Sequence, residues 1–258
     1  MVSKDAPATD VRTALANGLK ILRVLVESKE PLGASEIARR CELHQSSASR
    51  ILRTLIDAGY VRKLSYRSFA VDYGILTLSA MAAHHFKLID KPRKALAEIA
   101  AKHPAIAVVA LTALWNGQLI YLLRSEKNQA EPAIMALGGY PLHLSSPGLR
   151  LLLNAPEADA LRWLDESKLR YGWERPTEEV PPQPKSLLAE ARRRVRHDCL
   201  ILDEWQKPGW LGAAIPIHAP GEAACALSVS VALKSVSIDV ALLILQEGRR
   251  AVEASLSQ

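Results

Sequence analysis

Ser46, Ser49, Arg50 and Arg53 recur at helical spacing within the stretch QSSASRILRTL, residues 45–55. Its apolar residues Ala48, Ile51, Leu52 and Leu55 follow i, i+3, i+4, i+7 and define one buried stripe. Hydroxyl and guanidinium groups therefore face away from that stripe, with Ser47 adding another short hydroxyl. Short side chains at the start of a helix let the backbone approach a partner closely and bond base edges or phosphates. Arginine offers two donors to guanine or a fork to a phosphate, and the Gln45 amide matches adenine. A helix N-terminus itself favours a phosphate. On an isolated helix the same pattern also reads as a solvated polar face, so the neighbouring elements decide.

Those elements are present in the first seventy residues. In ALANGLKILRVLVES, Leu15, Leu19, Leu22, Leu25 and Val26 recur at helical spacing. KEPLG breaks that helix, and Ser35 is placed to cap a short second one, SEIARRC, with Ile37 and Ala38 inward. Gly59 ends the helix of the quoted stretch, and YVRKLSYRSFAV alternates like a short hairpin carrying Arg62, Lys63 and Arg67. Three helices, the last two joined by a tight turn, followed by a basic hairpin make a winged helix-turn-helix, expected over residues 11–73. Its third helix would enter a major groove about 12 Å wide with its N-terminal end first. Charge agrees: residues 1–70 hold 12 Lys+Arg against 7 Asp+Glu, whereas the remainder holds 21 against 20. A basic excess confined to one small segment is the footprint of a polyanion, here double-stranded DNA. The alternative is a winged helix that docks onto protein without reading DNA, and salt dependence separates the two.

A second group of hydroxyls lies near the C-terminus. In ALSVSVAL, Leu227, Val229, Val231 and Leu233 share one face of a strand, and Ala226, Ser228, Ser230 and Ala232 share the other. That small, hydroxylated face is either solvent-facing or lines a space that something other than side chains fills. Ser146 and Pro147 read as a cap and a first-turn proline introducing PGLRLLLNA. AIAVVALTAL and LIYLLR flank Asn116-Gly117, the strongest hairpin signal in the chain. A helix is expected over Lys185–His197, strands at CLILDE and WLGAAIPI, a turn at Ala219–Glu222 and a final helix from about Ser237 to Ser255. Hairpins interleaved with helices predict an α+β domain with an antiparallel sheet over residues 89–258. Between the two domains, Val71–Leu88 has a helical pattern and is expected to form a linker helix, residues 74–88.

Other chemistry is disfavoured. Cys41, Cys199 and Cys225 form no CxxC pair, which argues for reduced thiols in a cytoplasmic compartment. The opening MVSKDAPATD lacks the apolar core of a secretory signal, and Ala105–Trp115 is too short to span a membrane. The adjacent pair His84-His85 does not place both imidazoles on one helix face, so no metal is expected there. There is no GxSxG, phosphate loop, HExxH or supported Cys-His pair, and His143 beside Ser145 and Ser146 lacks base–nucleophile–orienter geometry. An enzyme is not expected, and neither is a cofactor. The run RRRVR, Arg192–Arg196, reads as a solvated helix face.

Residues about 14–79 resemble the N-terminal domain of the IclR family of bacterial transcriptional regulators. The resemblance continues in order along the chain. YPLHLSSPGLRLLL (Tyr140–Leu153) is similar to the family's PLHxSxxGKxLLA segment, GAAIPI (Gly212–Ile217) to its AAPI-type strand and ACALSVS (Ala224–Ser230) to its AAxSxS strand. Some positions depart from the pattern. Glu42 stands where the turn between the two helices usually has Gly, Ala48 replaces a β-branched residue, Leu149-Arg150 follows Gly148 where the family has Lys, and the wing lacks an Asp-Gly turn. A non-Gly residue at a φ > 0 position costs about 1 kcal/mol.

The resemblance implies a GAF-like effector domain and a linker helix that pairs subunits. A homodimer or dimer of dimers would then read a pseudo-palindromic operator. It also implies that Ser228 and Ser230 donate to a small carboxylate effector, with Ser146 and Pro147 in the neighbouring segment. A cysteine position of the family aligns with Gly212, and an acidic one falls near Leu202 or Asp203. Glycine in place of the thiol is expected to enlarge the pocket, and Trp205 and Trp210 either stack on a ring or belong to the core. The expectation is a ligand-responsive repressor or activator of a catabolic pathway, with an aromatic or branched carboxylate as effector.

Overall fold

The computed structural model describes residues 8–127, 133–137 and 139–257. They form two compact units, Met1–His85 and Phe86–Gln258.

In the first unit, α1 (Ala8–Glu27), α2 (Ala34–Cys41) and α3 (Gln45–Asp57) precede a hairpin of β1 (Val61–Ser65) and β2 (Ser68–Val71). Ile21 and Leu25 of α1, Ile37 and Cys41 of α2, Ala48 and Leu52 of α3 and Val61 of β1 close one core. Of the stripe expected on α3, Ala48 and Leu52 are buried in this core and Ile51 and Leu55 are half-buried against it. On α1 the apolar positions divide: Leu25 is buried, whereas Leu15 and Leu19 stay 68% and 61% exposed. Helix α2 begins one residue earlier than expected. Gly33 occupies the N-cap position in extended conformation with no side-chain cap, so Ser35 lies inside the first turn and caps nothing. The cause is non-local: Leu32 and Phe69 exchange both backbone hydrogen bonds (3.0 and 2.9 Å), which ends the extended segment just before Gly33. At the turn before α3, Glu42 is left-handed, φ 56° and ψ 42°, as the family's usual glycine implied. Its amide bonds the Arg39 carbonyl at 3.2 Å.

Helix α4 (Tyr73–Ala83) starts with Asp72 accepting from the Tyr73 amide at 2.8 Å. Its first turn is tied to the corner that follows α3: Gly74 N–H donates to the Gly59 carbonyl (3.1 Å) and Asp72 N–H to that of Tyr60 (2.9 Å). A Cβ on Gly74 would stand 2.3 Å from the Gly59 oxygen, so only glycine fits. The helix is shorter than the expected Val71–Leu88. It stops at Ala83, and a separate turn, α5 (Lys87–Asp90), opens the second unit. None of its residues is buried, although Leu76, Leu78 and Met81 are apolar.

In the second unit, α5 is followed by α6 (Arg93–Lys102), β3 (Val108–Trp115), β4 (Gln118–Glu126) and β5 (Ala133–Leu137). After a 3-10 turn (Leu142–Leu144) come α7 (Ser146–Leu152), α8 (Glu157–Tyr171) and α9 (Pro184–Arg193). Next are β6 (Val195–Arg196), β7 (Cys199–Asp203), β8 (Trp210–Ile217), β9 (Cys225–Ala232) and α10 (Ile238–Leu256). The strands form one antiparallel seven-stranded sheet in the order β5-β4-β3-β9-β8-β7-β6. The α+β architecture agrees with the expectation, including the Asn116-Gly117 turn, where both residues have positive φ.

Two local readings change. The cap of α7 is Ser145, whose hydroxyl accepts from the Gly148 amide at 3.1 Å, so Ser146 and Pro147 are its first two residues. The helix expected over Lys185–His197 ends at Arg193, because Val195–Arg196 pairs with β7 across His197-Asp198, both at positive φ. Arg192 and Arg193 form the exposed, paired face expected, whereas Arg194 is only 17% exposed, pairs with three carboxylates and lies over the buried Trp205. Below it, Arg150 is only 5% exposed and donates to the Asp198 carbonyl, the Asp198 carboxylate and Asn154.

The sheet has two distinct faces. On one, Gly248 of α10 lies so close that an added Cβ would be 2.7 Å from Leu227. On the other, Gly212 of β8 lies under α7, where an added Cβ would be 3.3 Å from the Ser146 hydroxyl. The alternation predicted for β9 puts Leu227 on the first face and Ser228 and Ser230 on the second.

Candidate nucleic-acid interface and effector face

The first unit brings most of the predicted DNA-facing residues together. A groove of about 660 Å³ between α3 and the hairpin is lined by Ser35, Gln45, Ser49, Arg53, Lys63 and Arg67, among others. Gln45, Ser49 and Arg53 are spaced by four and so fall on one line along α3. Ser35 reaches the groove from the first turn of α2, although it does not cap that helix. The hairpin is shaped by a hydrogen bond between the Ser65 and Ser68 hydroxyls (2.6 Å), and Lys63 stands over the Tyr66 ring at 5.3 Å. Ser46 and Arg62 are exposed and Ser47 is half-buried.

Arg50 is placed differently. It borders an apolar groove of about 640 Å³ on the other side of α3, with Leu15, Leu19, Leu22, Ile51, Tyr60, Ile75 and Leu78. The two arginines therefore flank the α3 ridge instead of sharing one side of it.

Charge pairing sorts the basic residues. Arg39 and Arg40 of α2 are both bonded to Glu36 (2.7 and 2.6 Å), and Arg39 first, then Arg40, pulls that carboxyl down to about 2. Among the described residues, Arg50, Arg53, Arg62, Lys63 and Arg67 have no acidic partner. Three cations on the wing groove are thus left to meet an external anion, beside the amide and hydroxyls of Gln45 and Ser49. That arrangement suits a phosphate backbone with base edges between.

The effector expectation concerns the second face of the sheet. Cross-strand pairing aligns Leu202, Gly212, Ser230 and Val108 in one row and Leu200, Ala214, Ser228, Ala110 and Arg124 in the next. The floor is small and hydroxylated in the middle and bulky at the β7 end. Ser146 stands over Gly212, so the glycine gives close approach of α7 to the sheet, and the side-chain-sized space expected there is filled by Ser146. Ser228 is 7% exposed, and its hydroxyl makes a long contact with the Ala110 carbonyl, 3.4 Å. Ser230 is half-buried. Leu202 is the residue opposite Gly212; Asp203 pairs with Leu211 and accepts from Arg194 at 2.9 Å. Pro147 is buried at the second position of α7.

Trp205 is fully buried, donates to the His143 carbonyl (2.9 Å) and carries Arg194 over its ring, so it belongs to the core. Trp210 is half-exposed beneath Lys207. His143 stacks on Trp173 at 4.3 Å, and its Nε2 meets the Glu174 carbonyl at 2.8 Å. Burial lowers its pKa below the ordinary 6.5, which keeps the imidazole neutral.

Sequence reading did not single out the residues at the β4 end of this face. Arg124 shares the row of Ser228, and its guanidinium lies 5.1 Å from the Tyr121 ring centre. Tyr140 lies nearby, its hydroxyl pushed up to about 12 by burial and then by Tyr121. Alternation within LIYLLR would have placed Arg124 on a sheet face, but which face depends on pairing with β3.

Comparison with known proteins follows the same lines. Residues 14–65 match the IclR helix-turn-helix domain. The transcriptional repressor IclR of Escherichia coli is 25% identical over 203 residues, 73% of this chain and 69% of its own length. The chain thus carries an IclR-type helix-turn-helix domain over residues 14–65. An IclR family regulator from Brucella abortus superposes with a TM-score of 0.74 at 20% identity, covering 99% of this chain and 96% of that one. An IclR homologue from Microbacterium hydrocarbonoxydans, solved in complex with 4-hydroxybenzoate, has a TM-score of 0.68 at 21% identity, covering 95% and 99%. The IclR family consists of transcriptional regulators, which are not enzymes, and this chain has the same order of a helix-turn-helix unit and a helix-and-sheet unit as the solved IclR-type regulators. Among its described residues no helix is long and apolar enough to cross a membrane.

Proposed function

We propose that this regulator binds a pseudo-palindromic operator as a homodimer, or as a dimer of dimers, and that a small organic acid bound on the serine-bearing face of its sheet alters that binding. It would act as repressor or activator of a catabolic pathway. The observation that carries the DNA reading is the set of cations Arg53, Lys63 and Arg67, with no acidic partner among the described residues, beside Gln45 and Ser49 in one groove. Such a groove would read base edges from α3 and hold phosphates from the wing. Dimerisation is supported by the exposed apolar surface of α1 and α4, where Leu15, Leu19, Leu76, Leu78 and Met81 are each more than half exposed. Soluble monomers rarely leave so many large apolar residues together in water.

The acid is supported by the hydroxyls of Ser228 and Ser230 on a floor of small residues, and by the 4-hydroxybenzoate bound to the Microbacterium homologue. In this reading the ligand shifts the population between dimer geometries that differ in the placement of the two α3 helices.

The test is selection from sheared genomic DNA. Purified protein should enrich a two-fold motif sharply at moderate salt, and an added carboxylic acid should change its retention. Uniform retention that disappears with salt, with and without acids, would sink the operator reading.

A further inference from the structure

We infer that Arg124 binds the carboxylate of the effector, with the rings of Tyr121 and Tyr140 against an aromatic body. This rests on the effector site proposed above and specifies what that site recognises. Arg124 and Ser228 both pair with Ala110, from β4 and β9, so they point to the same side of the sheet two strand spacings apart, about 9.6 Å. Ala110 between them carries only a methyl group, which leaves the line from guanidinium to hydroxyl unobstructed by its own side chain.

The guanidinium is held on two sides. Its Nη2 donates to Glu126 at 2.8 Å, and its plane lies over the Tyr121 ring. Its Nε–H has no partner among the described residues and is buried from water. A buried guanidinium donor without an acceptor is unfavourable, and a carboxylate oxygen is the acceptor that relieves it best. The side chain as a whole remains 34% exposed, so a ligand has access to it. Tyr121 is half-buried beside it and Tyr140 half-buried near Tyr121, and together they supply flat apolar surface with hydroxyl edges. A cation, a hydroxyl two strands away across Ala110 and two phenol rings together describe a site for a planar aromatic monocarboxylate.

Isothermal titration with 4-hydroxybenzoate, benzoate, 2-oxobutyrate and uncharged 4-hydroxybenzamide, on the full chain and on Arg124→Gln, Arg124→Lys and Ser228→Ala, tests this. The wild type should bind at least one acid about 10- to 100-fold more tightly than the amide. Arg124→Gln should remove that preference with little effect on the amide, and Arg124→Lys should restore part of it. A thermal melt of each variant checks that the fold is intact. Acid binding that survives Arg124→Gln but weakens in Ser228→Ala would overturn the role of Arg124 and leave the effector site standing. Binding unaffected by either substitution would overturn both. A wild type that binds aliphatic acids such as 2-oxobutyrate but no aromatic acid would overturn the aromatic assignment alone. If the wild type bound none of these acids, this inference and the acid site would fail together.

Discussion

Arg53→Ala, compared with Arg50→Ala, separates the two sides of α3. Arg53 lines the wing groove with Lys63 and Arg67, whereas Arg50 borders the apolar groove shared with α1 and α4. If Arg53 neutralises a phosphate, its removal deletes one released counterion per protomer. A symmetric dimer would then lose about 1.8 from the slope of log K against log salt, at about 0.9 per phosphate. If it reads a base instead, the slope stays and discrimination against a changed base falls by about 1–3 kcal/mol per half-site. Fluorescence anisotropy with a labelled operator duplex, titrated over a range of salt and repeated with single-base variants, measures both quantities. Arg50→Ala should disturb dimerisation or leave specific binding nearly unchanged, because its neighbours are apolar. The reasoning fails if Arg53→Ala changes neither slope nor discrimination while Arg50→Ala changes one of them.

Other substitutions test the scaffold. Glu42→Gly should stabilise the first unit by up to about 1 kcal/mol in urea denaturation, since Glu42 is left-handed and its contact with Lys20 is long and exposed; a destabilised variant would contradict this. Arg150→Ala should cost about 2–4 kcal/mol, because it removes three buried donors and frees Asp198 at φ 71°, and Arg150→Lys should not restore it. His143 is buried and its pKa is lowered, so the unfolded chain binds the proton more readily. Stability should therefore be full above about pH 6.5 and fall as pH drops toward the folded value. A His143→Gln variant should lose that part of the pH dependence, which denaturation midpoints at neutral and mildly acidic pH would reveal.

Periodic features were legible in the sequence. Ala48, Ile51, Leu52 and Leu55 sit on the core side of α3, and Ser228 and Ser230 share one sheet face, because each pattern spans a single element. What escaped depended on distant partners. Gly33 caps α2 in place of Ser35 because Leu32 is paired with Phe69. Arg50 and Arg53, about 60° apart around the helix, fall into different grooves only once α1, α4 and the wing are in place. Arg194 ends α9 because its carbonyl accepts from Ile201 and its side chain gathers Glu179, Glu190 and Asp203. Arg124 joined the site through a register linking β4, β3 and β9, which local alternation does not specify.

The bonded corner at Gly59, Tyr60, Asp72 and Gly74 makes α4 a lever with α3 fixed to its base. Eleven residues give α4 an arm of about 16 Å. A sideways push of about 3 Å at Ala83 tilts that arm by roughly 10°, and without play at Gly74 the corner must turn with it. Three ångströms is close to one base-pair step along a duplex, about 3.4 Å. Under the proposed function, a signal reaching the far end of α4 would arrive at the DNA as a turn of α3, and about 10° over its 13 residues, about 20 Å, moves its N-terminal end by roughly 3 Å.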